Sequence, residues 1–301
     1  MKDERKNLFG HLLAFLCIFI WGITLIFTKK LLNIFSATEI LILRFGFAYL
    51  FLWIMRPKKM KLQKKRHELL FFLAGFLGIA FYYLLENVAL LYTTATNVGI
   101  IAGAQPFFVN LAAHFITKKE KLRKNYFIGF VLSIIGIVLV SGNGGFSFHA
   151  GDFIMLFSLL VWVFYTILSR KISDLGYDPI ISTRKMFFYG FFCMIPCVVW
   201  KDFDITHFTA LAEPSVLISF LFLGCIACGA CFAFWNYAIA NIGSVKTTIY
   251  IYAQPIVTVI ASALFLNETI TPMILTGILL TILGLVISGN YNQDRSLPKS
   301  R

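Results

Sequence analysis

Polar residues in this chain fall in short clusters, and between them run ten apolar stretches, at residues 8–27, 37–55, 69–91, 95–117, 126–141, 153–170, 179–200, 215–239, 245–266 and 272–289. Stretches of this length, apolar on every side, suit helices that cross a bilayer better than helices that bury one face in a soluble core. The separators carry residues that end helices: Arg56-Pro57, Asn143-Gly144-Gly145, Tyr177-Asp178-Pro179, Glu213-Pro214, Asn241-Ile242-Gly243 and Thr271-Pro272. The expected fold class is an all-α membrane protein with ten transmembrane helices.

Those ten runs are two sets of five. Ala104-Gln105-Pro106 returns as Ala253-Gln254-Pro255, Asn87 as Asn236, and Gly129 with Gly136 as Gly277 with Gly284. Trp21, Thr24 and Thr28 match Trp162, Tyr165 and Ser169 at one constant interval. Such periodicity predicts a first repeat over 1–143, a second over 144–291 and a basic tail over 292–301. Five is odd, so the second repeat enters the membrane upside down relative to the first, giving a pseudo-two-fold axis in the membrane plane and, as leading mechanism, alternating access.

Composition agrees, with 59% hydrophobic and 14% charged residues, far from a globular balance of roughly half and a quarter. The net charge of +13 is not read as a nucleic-acid signal, because its clusters at 56–66 and 118–124 lie between spans, where lysine and arginine mark cytoplasmic loops. With the N-terminus inside, twenty-three basic residues fall in the cytoplasm and only Lys29, Lys30 and Lys201 outside. Both termini are therefore expected on the cytoplasmic side of the cell membrane. Residues 8–27 read as a retained span rather than a cleaved signal, since the run ends in Lys29-Lys30 without a small-x-small site.

The six cysteines all lie in apolar runs, so neither a disulfide framework nor a metal site is expected; Cys225, Cys228 and Cys231 read as small helix-packing residues. No H-E-x-x-H or G-x-S-x-G occurs and the five histidines are scattered, which argues against an intramembrane enzyme. No repeated ring of charges favours a channel.

Formal charges inside spans are costly and often functional. Arg44 and Glu86 lie at similar depth, roughly 10 Å in from the same side at the helical rise, and are candidates for a charge pair or for proton coupling; a fixed structural ion pair fits equally. Gly75, Gly78, Tyr82, Glu86 and Ala89 recur at steps of three and four, which predicts one inward face. Pro106 and Pro255 each leave a backbone carbonyl without its donor, and Gln105 and Gln254 either satisfy that carbonyl or line a cavity. Trp21 and Trp162 are read as packing or lining residues, the repetition favouring the lining role. Glu120 and Glu268 are expected at the starts of helices 5 and 10, where an acid is favourable.

Together these features resemble the EamA-type transporters of the drug/metabolite transporter superfamily. In the first unit the match runs through Trp21-Gly22, Arg44-Phe45, Ala89, Pro106, Glu120-Lys121-Leu122, Gly129 and Gly136; in the second, through Trp162, Ala238, Pro255, Glu268-Thr269-Ile270, Gly277 and Gly284. Thr183-Arg184-Lys185 stands where the first unit has Leu43-Arg44-Phe45, and Glu86 is not demanded by the family pattern. The resemblance implies an inner-membrane carrier of a small organic metabolite, such as an amino acid, often exported, whose cavity is lined by helices 1, 3, 4, 6, 8 and 9. By position the expected cavity residues are Trp21, Tyr82, Gln105, Trp162, Asn236, Tyr250 and Gln254. No cofactor or metal is expected, and a proton is the candidate coupling ion. The expected partners are the small-molecule substrate and the lipid bilayer; oligomeric state is not fixed.

Overall fold

The computed structural model describes residues 2–117, 124–141, 149–198, 203–242, 247 and 250–289. Among them ten helical segments occupy the predicted spans. They are α1 (Lys2–Leu31), α2 (Ala37–Met55), α3 (His67–Tyr92), α4 (Ala95–Gly103 and Gln105–Thr117), α5 (Lys124–Ser141), α6 (Ala150–Asp174), α7 (Pro179–Val198), α8 (Pro214–Leu221, Phe222–Ala230 and Cys231–Ile242), α9 (Tyr250–Leu266) and α10 (Pro272–Gly289). Five satisfy length and composition for a membrane crossing unaided: Lys6–Leu31, Ala37–Met55, His67–Tyr92, Ala150–Asp174 and Pro214–Trp235. Large apolar side chains such as Phe15, Ile54, Phe164, Leu264 and Leu279 face outward, as lipid contact requires. The face where α1 begins is called the near face below, and the opposite one the far face.

The two repeats are interleaved. α1 packs on α8 and α9, and its counterpart α6 packs on α3 and α4. Along α5 and α10 the glycines are in direct backbone contact: a Cβ on Gly284 would stand 2.4 Å from the Gly129 carbonyl oxygen, and one on Gly277 would stand 2.6 Å from that of Gly136. Gly129 thus faces the partner of Gly136, and Gly136 the partner of Gly129. Between them Ser133 Oγ donates to the Thr281 carbonyl at 3.2 Å, linking a residue to its own repeat mate. A self-complementary contact of this kind is what a two-fold axis generates. Phe45 and Phe187 meet likewise, with ring centroids 5.8 Å apart.

That symmetry corrects the alignment of α2 with α7. A Cβ on Gly224 would meet the Arg44 carbonyl at 2.9 Å, and one on Gly75 the Met186 carbonyl at 2.5 Å. Arg44 therefore corresponds to Met186, two positions beyond Arg184. Arg184 instead binds the carbonyls of Arg56 (2.6 Å) and Lys58 at the near face.

Both α3 and α8 widen into π-helix, over Gly75–Phe81 and Phe222–Ala230, just before the aligned residues Tyr82 and Cys231. A π segment takes more residues per turn, so the predicted single face of α3 divides. Gly75 abuts α7 at Tyr189, whereas Gly78 abuts the Tyr165 ring of α6. α4 and α9 break at matching points, with Ala104 at φ −80°, ψ −4° and Ala253 at φ −83°, ψ −16°, each just before its Gln-Pro pair.

The glycine seam gives a direct test. Gly136→Ala should lower the melting temperature of the detergent-solubilised protein, by overpacking worth about 1–3 kcal/mol, because the new methyl would lie 2.4 Å from Thr281 Oγ1. Gly46→Ala, whose Cβ would find only Phe191 at 3.8 Å, should leave it unchanged or raised. Equal melting of the two variants would remove the seam from the account.

Candidate functional site

Where α3 leaves its π segment, Tyr82 and Glu86 stand one helical turn apart, and the Tyr82 hydroxyl donates to Glu86 Oε1 at 3.0 Å. From α4, Gln105 Nε2 donates to the Tyr82 oxygen at 3.2 Å. The Gln105 amide thus leaves the break in its own helix and reaches across to α3. From α6, the Trp162 ring lies 4.7 Å from that of Tyr82 and 4.8 Å from that of Tyr165. Tyr82 and Glu86, predicted on one face, are joined by Gln105 and the half-buried Trp162 in one chain of polar and aromatic groups drawn from three helices and both repeats.

Arg44 enters from α2 and is 1% exposed. Its Nε donates to Cys228 Sγ at 2.9 Å, its guanidinium carbon lies 4.4 Å from the Tyr83 ring centre, and its Nη1 meets no acceptor among the described residues. Glu86 is within electrostatic reach of Arg44. The two are nonetheless not joined directly among the described contacts; Glu86 Oε1 accepts from Tyr82. Cys228, read from sequence as a packing residue, is therefore the group that holds the arginine.

Trp21 occupies the mirror position of Trp162. Its Nε1 donates to the Ala227 carbonyl at 3.0 Å inside the π segment of α8, and its ring packs on Phe232 and Trp235. Both tryptophans belong to one packed cluster with Tyr82, Tyr83 and Cys228. Gln254 is half-buried, and its backbone carbonyl lies beside Gly22. Tyr250 stands apart: its hydroxyl is 2.9 Å from His11 Nδ1, about 15 Å nearer the near face than Trp21 along α1. The Asn236 side chain lies outside the described residues.

At the far face the turn between α3 and α4 is clamped from three sides. Glu268 accepts the Ala95 and Thr96 amides at 3.0 and 3.1 Å and the Thr96 hydroxyl at 2.6 Å, so it caps α4 rather than α10. Another helix's start offers the same unsatisfied donors and the same positive dipole end that its own was expected to offer. Lys29 bends from the end of α1 onto the Leu90 and Thr93 carbonyls at the end of α3. Asp152, 1% exposed in the first turn of α6, accepts the Thr93 hydroxyl at 2.7 Å and the Asn97 amide at 3.1 Å. The expected span began at residue 153 and left Asp152 outside; the usable signal was the His149-x-x-Asp152 spacing of a capping box. Glu39, a further buried acid at this face, caps α2 with Ser36 and lies 3.0 Å from His207 Nδ1. Among the described residues no group of three or more histidine, cysteine, aspartate or glutamate side chains is placed to hold a metal.

The sequence profile of the EamA-like transporter family matches twice, over residues 8–142 and 149–289. An uncharacterized transporter of Archaeoglobus fulgidus is 27% identical over 287 residues, spanning 92% of this chain and 96% of that protein. The uncharacterized transporter YyaM of Bacillus subtilis is 27% identical over 299 residues, spanning 94% and 93%. A solved crystal structure has the same fold, with a TM-score of 0.68 at 15% identity over 96% of this chain and 98% of the other. Those two relatives carry the name transporter, and the matched family is one of transporters rather than enzymes, so the chain is a multi-pass membrane transporter. With the profile repeated over both halves and the relatives matched nearly end to end, the chain belongs to the EamA-like transporter family.

Proposed function

We propose that the chain is a secondary carrier that exports a small organic metabolite, an amino acid or related compound, across the cytoplasmic membrane by alternating access. The observation that carries this reading is the self-complementary seam of α5 and α10, in which Gly129 and Gly136 meet the repeat mates of each other. Two halves related in that way have two arrangements of similar energy, one open to each face. The far-face clamp of Glu268, Lys29 and Asp152 fits the arrangement closed on that side. Residues Arg56 to Arg66, Arg170, Lys171, Arg184 and Lys185 all lie toward the near face, which supports a cytoplasmic near face with both termini there. The path runs between Trp21, Tyr82, Gln105, Trp162 and Gln254, with Tyr250 toward the near face. Glu86, hydrogen-bonded to Tyr82 and in the field of Arg44, is the proton-exchanging group.

Counterflow in proteoliposomes tests the reading. Vesicles loaded with the compound that accumulates most in cells lacking the protein should take up labelled compound saturably, with no current steps in planar bilayers. Unitary currents under voltage clamp would make it a pore instead.

A further inference from the structure

The loop from α2 to α3 holds seven lysines and arginines over residues 56–66 and no acid, a composition that repels itself when free in solvent. Here it is pinned to the turn between α6 and α7. Gln63 donates its backbone amide to the Tyr177 hydroxyl at 2.9 Å and its side-chain amide to the Leu175 carbonyl at 3.0 Å. Arg56 pairs with Asp178 at 3.3 Å, and the buried Arg184 fork takes the Arg56 and Lys58 carbonyls. These ties leave an open-sided cavity of about 210 Å³, with Lys59, Met60 and Lys61 of the first repeat on one wall and Tyr177, Asp178 and Ile181 of the second on the other. Asp178 is already committed, since its second oxygen accepts the Ile180 and Ile181 amides at 3.0 and 3.1 Å. Lys59 and Lys61 are exposed and form no ion pair among the described residues.

The depth of the cavity says what it meets. α2 has 19 residues, about 28 Å at the helical rise, against about 30 Å for the hydrocarbon layer of a bilayer. Its last residue, Met55, therefore marks the near edge of that layer, with the half-exposed Trp53 at the interface. Lys59, only four residues further on, stands at the level of the lipid headgroups. We propose that the cavity seats the headgroup of an anionic phospholipid of the near-face leaflet, its phosphodiester between the Lys59 and Lys61 ammonium groups and its acyl chains entering the bilayer beside Trp53 and Ile54. A free anion would meet the same lysines. The apolar Met60 and Ile181 on the walls, and the exposed end of α2 close by, fit a ligand that brings hydrocarbon together with its phosphate. Because the two walls come from different repeats, an occupied cavity ties the repeats together at the near face.

Native mass spectrometry of the purified full-length protein, titrated with phosphatidylglycerol or with phosphatidylcholine of identical chains, tests the proposal. Each lysine beside an anionic headgroup is worth roughly fivefold in binding. Phosphatidylglycerol should therefore bind at least about tenfold tighter than phosphatidylcholine, and inorganic phosphate at equal concentration should not displace it. Lys59→Gln combined with Lys61→Gln should weaken phosphatidylglycerol about 25-fold and leave phosphatidylcholine unchanged. Lys64→Gln combined with Lys65→Gln removes the same charge from the same loop away from the cavity walls, and should cost under about fivefold. Equal loss in the two double variants would make the effect a diffuse surface charge and overturn the seat, as would unchanged binding in the first. Equal affinity for the two lipids would overturn it too, and displacement by inorganic phosphate would reassign the cavity to a free anion. The lipid comparison and the phosphate competition use the wild-type protein alone, so they decide even where a variant folds poorly.

Discussion

Glu268→Ala is expected to open the far face. The carboxylate accepts two backbone amides and one hydroxyl at the start of α4, and alanine leaves those donors to find water. A hydrogen bond to a charged group contributes about 1.5–3 kcal/mol. Loss of even one such contribution from the closed arrangement shifts the balance between closed and open by roughly 10- to 150-fold, at about 1.4 kcal/mol per tenfold. Hydrogen exchange in nanodiscs should show the amides of 95–103 exchanging at least tenfold faster in the variant, with α5 and α10 unchanged. Glu268→Gln, which keeps an acceptor and loses the charge, should lie between wild type and alanine. Exchange at wild-type rate in the alanine variant would mean that the carboxylate caps a helix and closes nothing.

The second large effect is expected at Glu86. Glutamine has the same shape and still offers an oxygen to the Tyr82 hydroxyl, so the chain from Gln105 through Tyr82 should persist. What it cannot do is bind and release a proton. Net transport driven by a pH gradient should therefore fall more than tenfold in Glu86→Gln and lose its dependence on pH, whereas counterflow, in which substrate exchanges for substrate, should continue. A pH profile identical to wild type would reassign Glu86 to a structural role beside Arg44.

The ten spans were legible because a bilayer demands about twenty apolar residues in a row, a signal that survives even where α4 and α9 are broken. The repeat was legible because Ala-Gln-Pro is improbable inside an apolar run and occurs twice. Arg44 and Glu86 stood out for the same reason. What escaped detection involved relations between helices. Arg184 was paired with Arg44 because a shared charge outweighed the apolar register, and only the glycine contacts of Gly75 and Gly224 restore Met186 to that place. Asp152 fell just outside an apolar run, and Glu268 was credited to the nearest helix in sequence when the nearest in space was α4. The π segments left no mark, since Gly75-x-x-Gly78 reads equally well as a packing motif of a regular helix. Cys228 looked inert because nothing in its own segment announces a guanidinium arriving from another.

Under the alternating access proposed above, the seam of α5 and α10 has a kinematic meaning. Contacts centred on a rotation axis map onto themselves when the two halves trade shapes, so Ser133 and Thr281 can keep the same neighbours through a full swap. Every residue away from that line must exchange one set of partners for its mirror set. The glycine pair on either side therefore acts as a fulcrum, and the distance swept by any side chain grows with its separation from Ser133.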